Sequence, residues 1–344
     1  FRFLPVPEDC KKCKKLEEIR RGSGDCGYKV EFDAENCKRI TYYKPCVVRP
    51  SDPNDILGPD GFGEPQWISA SAVFDYTIRF ENQPTATAAA QEVVITQQFD
   101  EDLNPAKFKI GSFGFRNLVF DAPNKPFHFQ QIDLTEDYGV FVTLTAVVDI
   151  ATNTATWTFR TIDPTTGQPP LDASLGFLPI NDETGVGEGF VSYTIEADAA
   201  VPTGTVIDAQ ARIVFDTEEP IDTPPIFNTL DAEAPTSSVT LVSTELTNEF
   251  VVSWAGTDPN DGAGIAAYDV YVSTNGAGYV KWLAATGLTE AIYVGELGTT
   301  YEFYSAAVDN ANNSESPPAT ADVAVTTPGG KATIGNRVWK DLNS

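Results

Sequence analysis

Val140-Phe141-Val142-Thr143-Leu144-Thr145-Ala146-Val147-Val148-Asp149-Ile150 is followed by Ala151-Thr152-Asn153 and then by Thr154-Ala155-Thr156-Trp157-Thr158-Phe159-Arg160-Thr161. Both runs alternate apolar with polar side chains, the period of a half-buried strand. The polar break between them has the chemistry of a tight hairpin. Working outward, strand-like patterning recurs at 71–81, 92–99, 108–110, 117–120, 127–134, 189–196 and 206–215. No stretch between these runs has the pattern of a helix of ordinary length. Many short strands separated by turn residues predict an antiparallel sandwich over 51–230, with Trp157 in its core. The segment 163–186, rich in Pro, Gly and Asp, is expected to be a long surface loop.

Asp231-Ala232-Glu233-Ala234-Pro235-Thr236 has the composition of a linker, and a second sandwich is expected over 231–328. Phe250-Val251-Val252-Ser253-Trp254 alternates, placing Trp254 as a core tryptophan, and further strands are expected at 265–273, 279–283, 290–294 and 300–308. The fold class is therefore mainly all-β, with two antiparallel β-sandwiches in tandem behind a small cysteine-rich N-terminal unit.

Specific residues carry three resemblances. Phe74-Asp75-Tyr76-Thr77-Ile78-Arg79-Phe80-Glu81-Asn82, then Thr85-Ala86-Thr87-Ala88 and Val93-Val94-Ile95-Thr96, resembles the conserved-repeat domain of bacterial cell-surface proteins. Val206 to Phe215 is similar to that family's closing strand, which ends on an acidic residue, here Asp216. Residues 233–327 resemble a fibronectin type III domain: Trp254 sits in the second strand, Gly298-Thr299-Thr300-Tyr301-Glu302-Phe303 matches G-x-x-Y-x-F, and Val308-Asp309-Asn310-Ala311 stands at A-x-D-x-A. No Arg-Gly-Asp is present, so the integrin-binding use of that family does not transfer. Ile334-Gly335-Asn336-Arg337-Val338-Trp339-Lys340-Asp341-Leu342-Asn343 is similar to the opening of a B-type repeat of serine-aspartate surface adhesins, expected from 329 onward. Together these imply an Ig-like or fibronectin type III-like segment of an extracellular bacterial surface protein.

All five cysteines, Cys10, Cys13, Cys26, Cys37 and Cys46, fall in the first 46 residues. A unit of ~45 residues needs covalent or metal staples, because so small a core buries too little surface. Disulfides are the expected staple, with a zinc site built on Cys10 and Cys13, or free thiols, as the alternatives. The odd number leaves one cysteine free or paired outside the chain. Asp9 is positioned to cap a helix through 10–21, and two short strands are expected at 28–32 and 39–43.

Charge narrows the function. Twelve basic and eight acidic residues in 1–50 leave 11 and 41 in the remainder, a net of −30 there within an overall −26. Such a body repels phosphate, which argues against nucleic acid and anionic membrane as partners and favours cations, calcium above all. Three acidic clusters offer the oxygen-rich donors calcium takes. They are Asp52, Asn54, Asp55 and Asp60; Asp258, Asn260 and Asp261, joined by Asp309, Asn310 and Asn312; and Asp216, Glu218 and Glu219. None has EF-hand spacing, and the same residue types also favour plain turns.

Catalysis has little to draw on. His128 is the sole histidine, set between Phe127 and Phe129 as a strand residue. A glycosidase would need two carboxylates, and 49 acidic residues give no means of choosing them. The chain reads as non-catalytic. Its expected partners are neighbouring copies of itself or other surface proteins, in contact through exposed strand edges. Glycans stacked on Trp67, Trp157, Trp282 or Trp339 are a further candidate, which would suit an accessory module of a secreted hydrolase. No window approaches 18 consecutive apolar residues, so no membrane span is expected. With no methionine anywhere, the sequence is expected to be a processed chain or part of a longer one.

Overall fold

The computed structural model describes residues 54–242 and 248–329, and the backbone of four strands before them. The chain divides into Phe1–Pro53 and Asn54–Ser344. In the first unit β1 (Arg2–Phe3) pairs with β2 (Glu18–Ile19), and β3 (Gly27–Asp33) pairs with β4 (Lys38–Lys44), all antiparallel. The second pair matches the strands expected at 28–32 and 39–43. Strand β2 instead occupies positions assigned to a helix, so that helix does not run through Glu18 and Ile19. Every cysteine lies outside the described residues, as does the stretch compared with a B-type repeat beyond Gly329.

The first sandwich begins with β5 (Asp55–Leu57), β6 (Trp67–Ser69), β7 (Val73–Glu81), β8 (Glu92–Gln98) and β9 (Leu103–Phe115). It continues through β10 (Leu118–Phe120), β11 (Phe127–Leu134), β12 (Val140–Asp149), β13 (Thr154–Ile162) and β14 (Glu188–Ala197). It closes with β15 (Val206–Ala209), β16 (Ala211–Phe215), β17 (Ile221–Asp222) and β18 (Ile226–Asp231). A five-stranded sheet, β10-β9-β14-β7-β5, faces a six-stranded one, β11-β12-β13-β8-β16-β17. The β12–β13 hairpin turns through Asn153 at φ 52°, a conformation asparagine tolerates. Along β12 the inward residues Val140, Val142, Leu144 and Ala146 are all buried, as the period-two pattern requires.

An aromatic core fills the space between the sheets. Trp157, Phe108 and Tyr193 meet with ring centroids 5.5–5.8 Å apart, and Phe159 stacks on Phe177 at 5.4 Å. Phe177 and Leu178 come from 163–186, so that segment is not wholly a surface loop. It tucks two apolar side chains into the core and bridges Ala90 through Leu178. The run expected as one strand over 206–215 is two strands in two sheets, since β15 pairs with β18 and β16 with β8. A third small sheet, β15-β18-β6, contains a parallel pair, β18 with β6, in an otherwise antiparallel domain. The proline-rich 220–225 lies within the sandwich, where Ile221–Asp222 is the edge strand β17. One helical turn, α1 (Thr135–Tyr138), closes on Gly139 at φ 71°.

The second sandwich comprises β19 (Thr236–Val242), β20 (Glu249–Thr257), β21 (Ile265–Thr274), β22 (Val280–Thr286), β23 (Glu290–Val294), β24 (Thr300–Asp309) and β25 (Val323–Thr326). Three strands, β19-β20-β23, face four, β22-β21-β24-β25. This arrangement agrees with a fibronectin type III-like sandwich. Trp254 is buried and makes a T-shaped contact with Trp282, with centroids 6.2 Å apart. The hydroxyl of Tyr301 accepts the Glu296 N–H at 2.7 Å, tying the loop before β24 to its own strand. Asp322 Oδ2 accepts from Val239 N at 2.9 Å and Ser305 N at 3.1 Å, joining the two sheets by a carboxylate.

Candidate metal centre

Two of the four residues 259–262, in the loop between β20 and β21, take the left-handed backbone conformation. Pro259 opens a 3-10 turn, and Asn260 and Asp261 then adopt φ values of 54° and 52°. Gly262 follows, where a Cβ would stand 2.7 Å from Asp231 Oδ2 and 2.9 Å from Asp258 Oδ2 and would push on both carboxylates. Carboxylates from three parts of the chain meet beside this loop. Asp231 ends β18 of the first sandwich, Asp258 precedes the 3-10 turn, and Asp309 ends β24. One oxygen of each lies within 4.8 Å of the others.

Asp231 and Asp309 are buried, at 0% and 1% exposure, and Asp258 is half-buried. Asp231 Oδ2 accepts from Ala263 N at 2.8 Å, and Asp309 accepts from the backbone and side-chain amides of Asn313 at 2.8 and 2.9 Å. Asp258 Oδ2 accepts from Gly264 N at 2.5 Å, while its Oδ1 is sealed from solvent and has no hydrogen-bond partner. Desolvation pushes the Asp258 carboxyl above the ordinary range, and the neighbouring charges of Asp231, Asp309 and Glu233 add to it. Burial raises Asp309 as well, against the pull of the Asn313 hydrogen bonds. At 4.8 Å and an effective dielectric of ~20, each like-charged pair costs about 3 kcal/mol. A hard cation would reverse the sign of that term, and oxygen-only donors suit calcium or magnesium rather than zinc.

The structure thus brings together Asp258 and Asp309 of the second expected cluster and adds Asp231, which had been assigned to linker. Asn260 is not among them: its side-chain amide donates to Glu233 Oε2 at 2.7 Å, and both it and Asp261 are exposed. Asn310 instead braces the loop, donating to the carbonyls of Ala263 and Gly264 at 2.9 and 2.8 Å. Asn312, exposed at φ 69°, is a turn residue. The first cluster does not assemble among the described residues. Asp55 pairs with Arg79, Asn54 is buried with Oδ1 accepting from Glu81 N, Asp60 is exposed, and Asp52 lies outside the described residues. In the third cluster Asp216 Oδ1 accepts from Gln91 and Glu92 N at 3.0 and 2.8 Å, fastening the end of β16 to the start of β8, while Glu218 and Glu219 are exposed.

His128 Nε2 lies 3.0 Å from Gln130 Oε1, within the strand that holds both. Trp157 is fully buried and Trp282 packs against the second core, so these two are packing residues, while Trp67 is half-buried at the start of β6, its backbone bridged to Phe62. Trp339 lies outside the described residues. No helix among the described residues is long and apolar enough to cross a membrane.

The described part of the chain is a tandem of two β-sandwiches with an acidic joint. The family model described as "Domain of unknown function (DUF7619)" matches residues 52–139 and 143–229, and the chain belongs to that family. No curated protein matches it. Among solved structures, the collagen-binding domain from a Staphylococcus aureus adhesin is 13% identical with a TM-score of 0.27, covering 53% of this chain and 98% of that one. A group B streptococcus pilus 2b backbone protein is 12% identical at 0.31, covering 80% and 96%. The chicken CNTN1 FN1-FN3 domains are 13% identical at 0.30, covering 85% and 70%. At these TM-scores the likenesses select no function.

Proposed function

We propose that the chain is a non-catalytic structural or adhesive segment of a secreted bacterial surface protein, a stalk, sheath or filament subunit in which the sandwiches act as a stiff spacer. The observation that carries this reading is the joint. Between the end of β18 and the start of β19 lie only residues 232–235, ending in a buried proline. Two polar contacts cross it, Ser69 Oγ donating to Asn313 Oδ1 at 2.5 Å and Asn313 Nδ2 donating to the Asp231 carbonyl at 3.2 Å, while Ala232 N anchors the connector to the first sandwich by donating to Thr203 Oγ1 at 3.0 Å. A short connector braced by hydrogen bonds resists bending far more than a free linker. The cell-surface setting rests on the resemblances carried by the sequence.

Electron microscopy of the purified chain tests the proposal. Fibres, sheets or straight two-lobed rods support it, and lobes held at all angles overturn it. A second reading, a glycan- or protein-binding accessory module of a secreted hydrolase, draws on Phe127 and Phe129. These stand 55% and 56% exposed on the outer face of edge strand β11, next to Val147. A glycan array with binding lost in Phe129→Ala would favour it over the spacer.

A further inference from the structure

Among the described residues, no ion pair reaches the carboxylates of Asp231, Asp258 and Asp309, the first and last of them buried. Arg79, Lys107, Arg160, Arg212 and Lys281 form ion pairs elsewhere, with Asp55, Glu196, Glu92, Asp222 and Asp269. Backbone and side-chain amides satisfy part of the cluster's capacity, yet Asp258 Oδ1 remains enclosed without any donor. An ionised oxygen left in that state costs several kcal/mol unless something positive meets it. No histidine or cysteine is in the group, which removes the soft and borderline metals.

We propose that Asp231, Asp258 and Asp309 bind a calcium ion that bridges the two sandwiches. Calcium tolerates irregular coordination by carboxylates from separate loops and completes its shell with water, whereas magnesium demands a near-ideal octahedron that three separately anchored side chains do not preset. The ion ties the end of β18 in the first sandwich to the 3-10 turn and the end of β24 in the second. The site stands independently of the spacer reading. Its consequence, a joint whose stiffness follows calcium concentration, rests on that reading.

Calorimetric titration of the full chain, stripped with chelator and then given calcium chloride, tests the site. One binding event is expected, weakened at least ~10-fold in Asp258→Asn and in Asp309→Asn and unchanged in Asp60→Asn. Absence of binding, or equal affinity in all four proteins, overturns the proposal. Amide exchange of the wild type in calcium and in chelator keeps it testable where a variant fails to fold. Calcium should slow exchange at Gly264, whose N–H meets Asp258, and at Ala70, whose N–H donates to the Asp231 carbonyl at 2.8 Å. Slowing confined to the second sandwich overturns the bridge, and no slowing overturns the site. Straight rods that bind no calcium would leave the spacer function standing without the ion.

Discussion

Phe159 and Phe129 differ in one respect that sets their energetic worth. Phe159 is fully buried, stacked on Phe177 at 5.4 Å and in edge contact with Phe115 at 6.0 Å, while Phe129 faces outward at 56% exposure. Phe159→Ala should destabilise the first sandwich by about 3–5 kcal/mol, and Phe129→Ala should stay within about 0.5 kcal/mol, both read from urea unfolding. Titration gives a second test at this scale. Hydrogen bonds from the Thr184 hydroxyl and then its backbone N–H hold the exposed Asp182 carboxyl below its ordinary range. Thr184→Ala should raise that value in an NMR titration, since only the backbone bond survives. A lowered native value contributes stability above the ordinary carboxylate range that is lost as pH falls through the native value. The variant's stability should therefore depend less on pH across that acid window. Asp258 and Asp309 were legible as candidate ligands because acidic and amide residues crowd their loops. Asp231 was not, because nothing in Asp231-Ala232-Glu233-Ala234-Pro235 distinguishes a strand's buried last residue from the first residue of a linker.

Period-two patterning located most strands of both sandwiches to within a few residues, and for 127–134 and 290–294 at the same bounds. It failed at 206–215 for a definite reason. Burial alternates without interruption from Val206 to Ile213, so the inward parity survives while the hydrogen-bonding partner changes from β18 to β8 at Gln210. Side-chain period reports which face is buried and carries no information on which neighbour a strand pairs with. Thr223 holds that crossing in place. Its N–H donates to the Ala211 carbonyl at 2.9 Å, and its hydroxyl accepts the Ala211 N–H at 3.0 Å in a site only 1% exposed. Thr223→Val keeps the volume and strands the Ala211 N–H, so it should cost about 1–3 kcal/mol, whereas Thr223→Ser should recover most of the loss. Equal stability of the two variants in denaturant titration would show that the hydroxyl does not hold the crossing.

At the scale of the whole molecule, the joint concentrates the interactions that relate one sandwich to the other. Asn313 reaches across it twice, accepting from Ser69 and donating to the Asp231 carbonyl, and its remaining contacts hold Asp309. Asn313→Ala removes both of its crossing bonds and its side-chain bond to Asp309 Oδ2, leaving the backbone N–H to serve Asp309. The Asp231 carbonyl retains the Ala70 N–H, so no buried acceptor is stranded there. The expected outcome is a loss of about 1–3 kcal/mol, since the Asp309 carboxylate gives up one donor, and a wider spread of angles between the sandwiches. Small-angle scattering in chelator reads that spread as a shorter and broader distribution of longest distances. An unchanged distribution would mean that the four-residue connector, its buried Pro235 and the Ala263–Asp231 bond enforce the geometry without Asn313 or an ion. In that event stiffness would be a property of the connector and that remaining bond, insensitive to whatever occupies the carboxylate cluster, and a filament built from this segment would keep its shape as calcium falls.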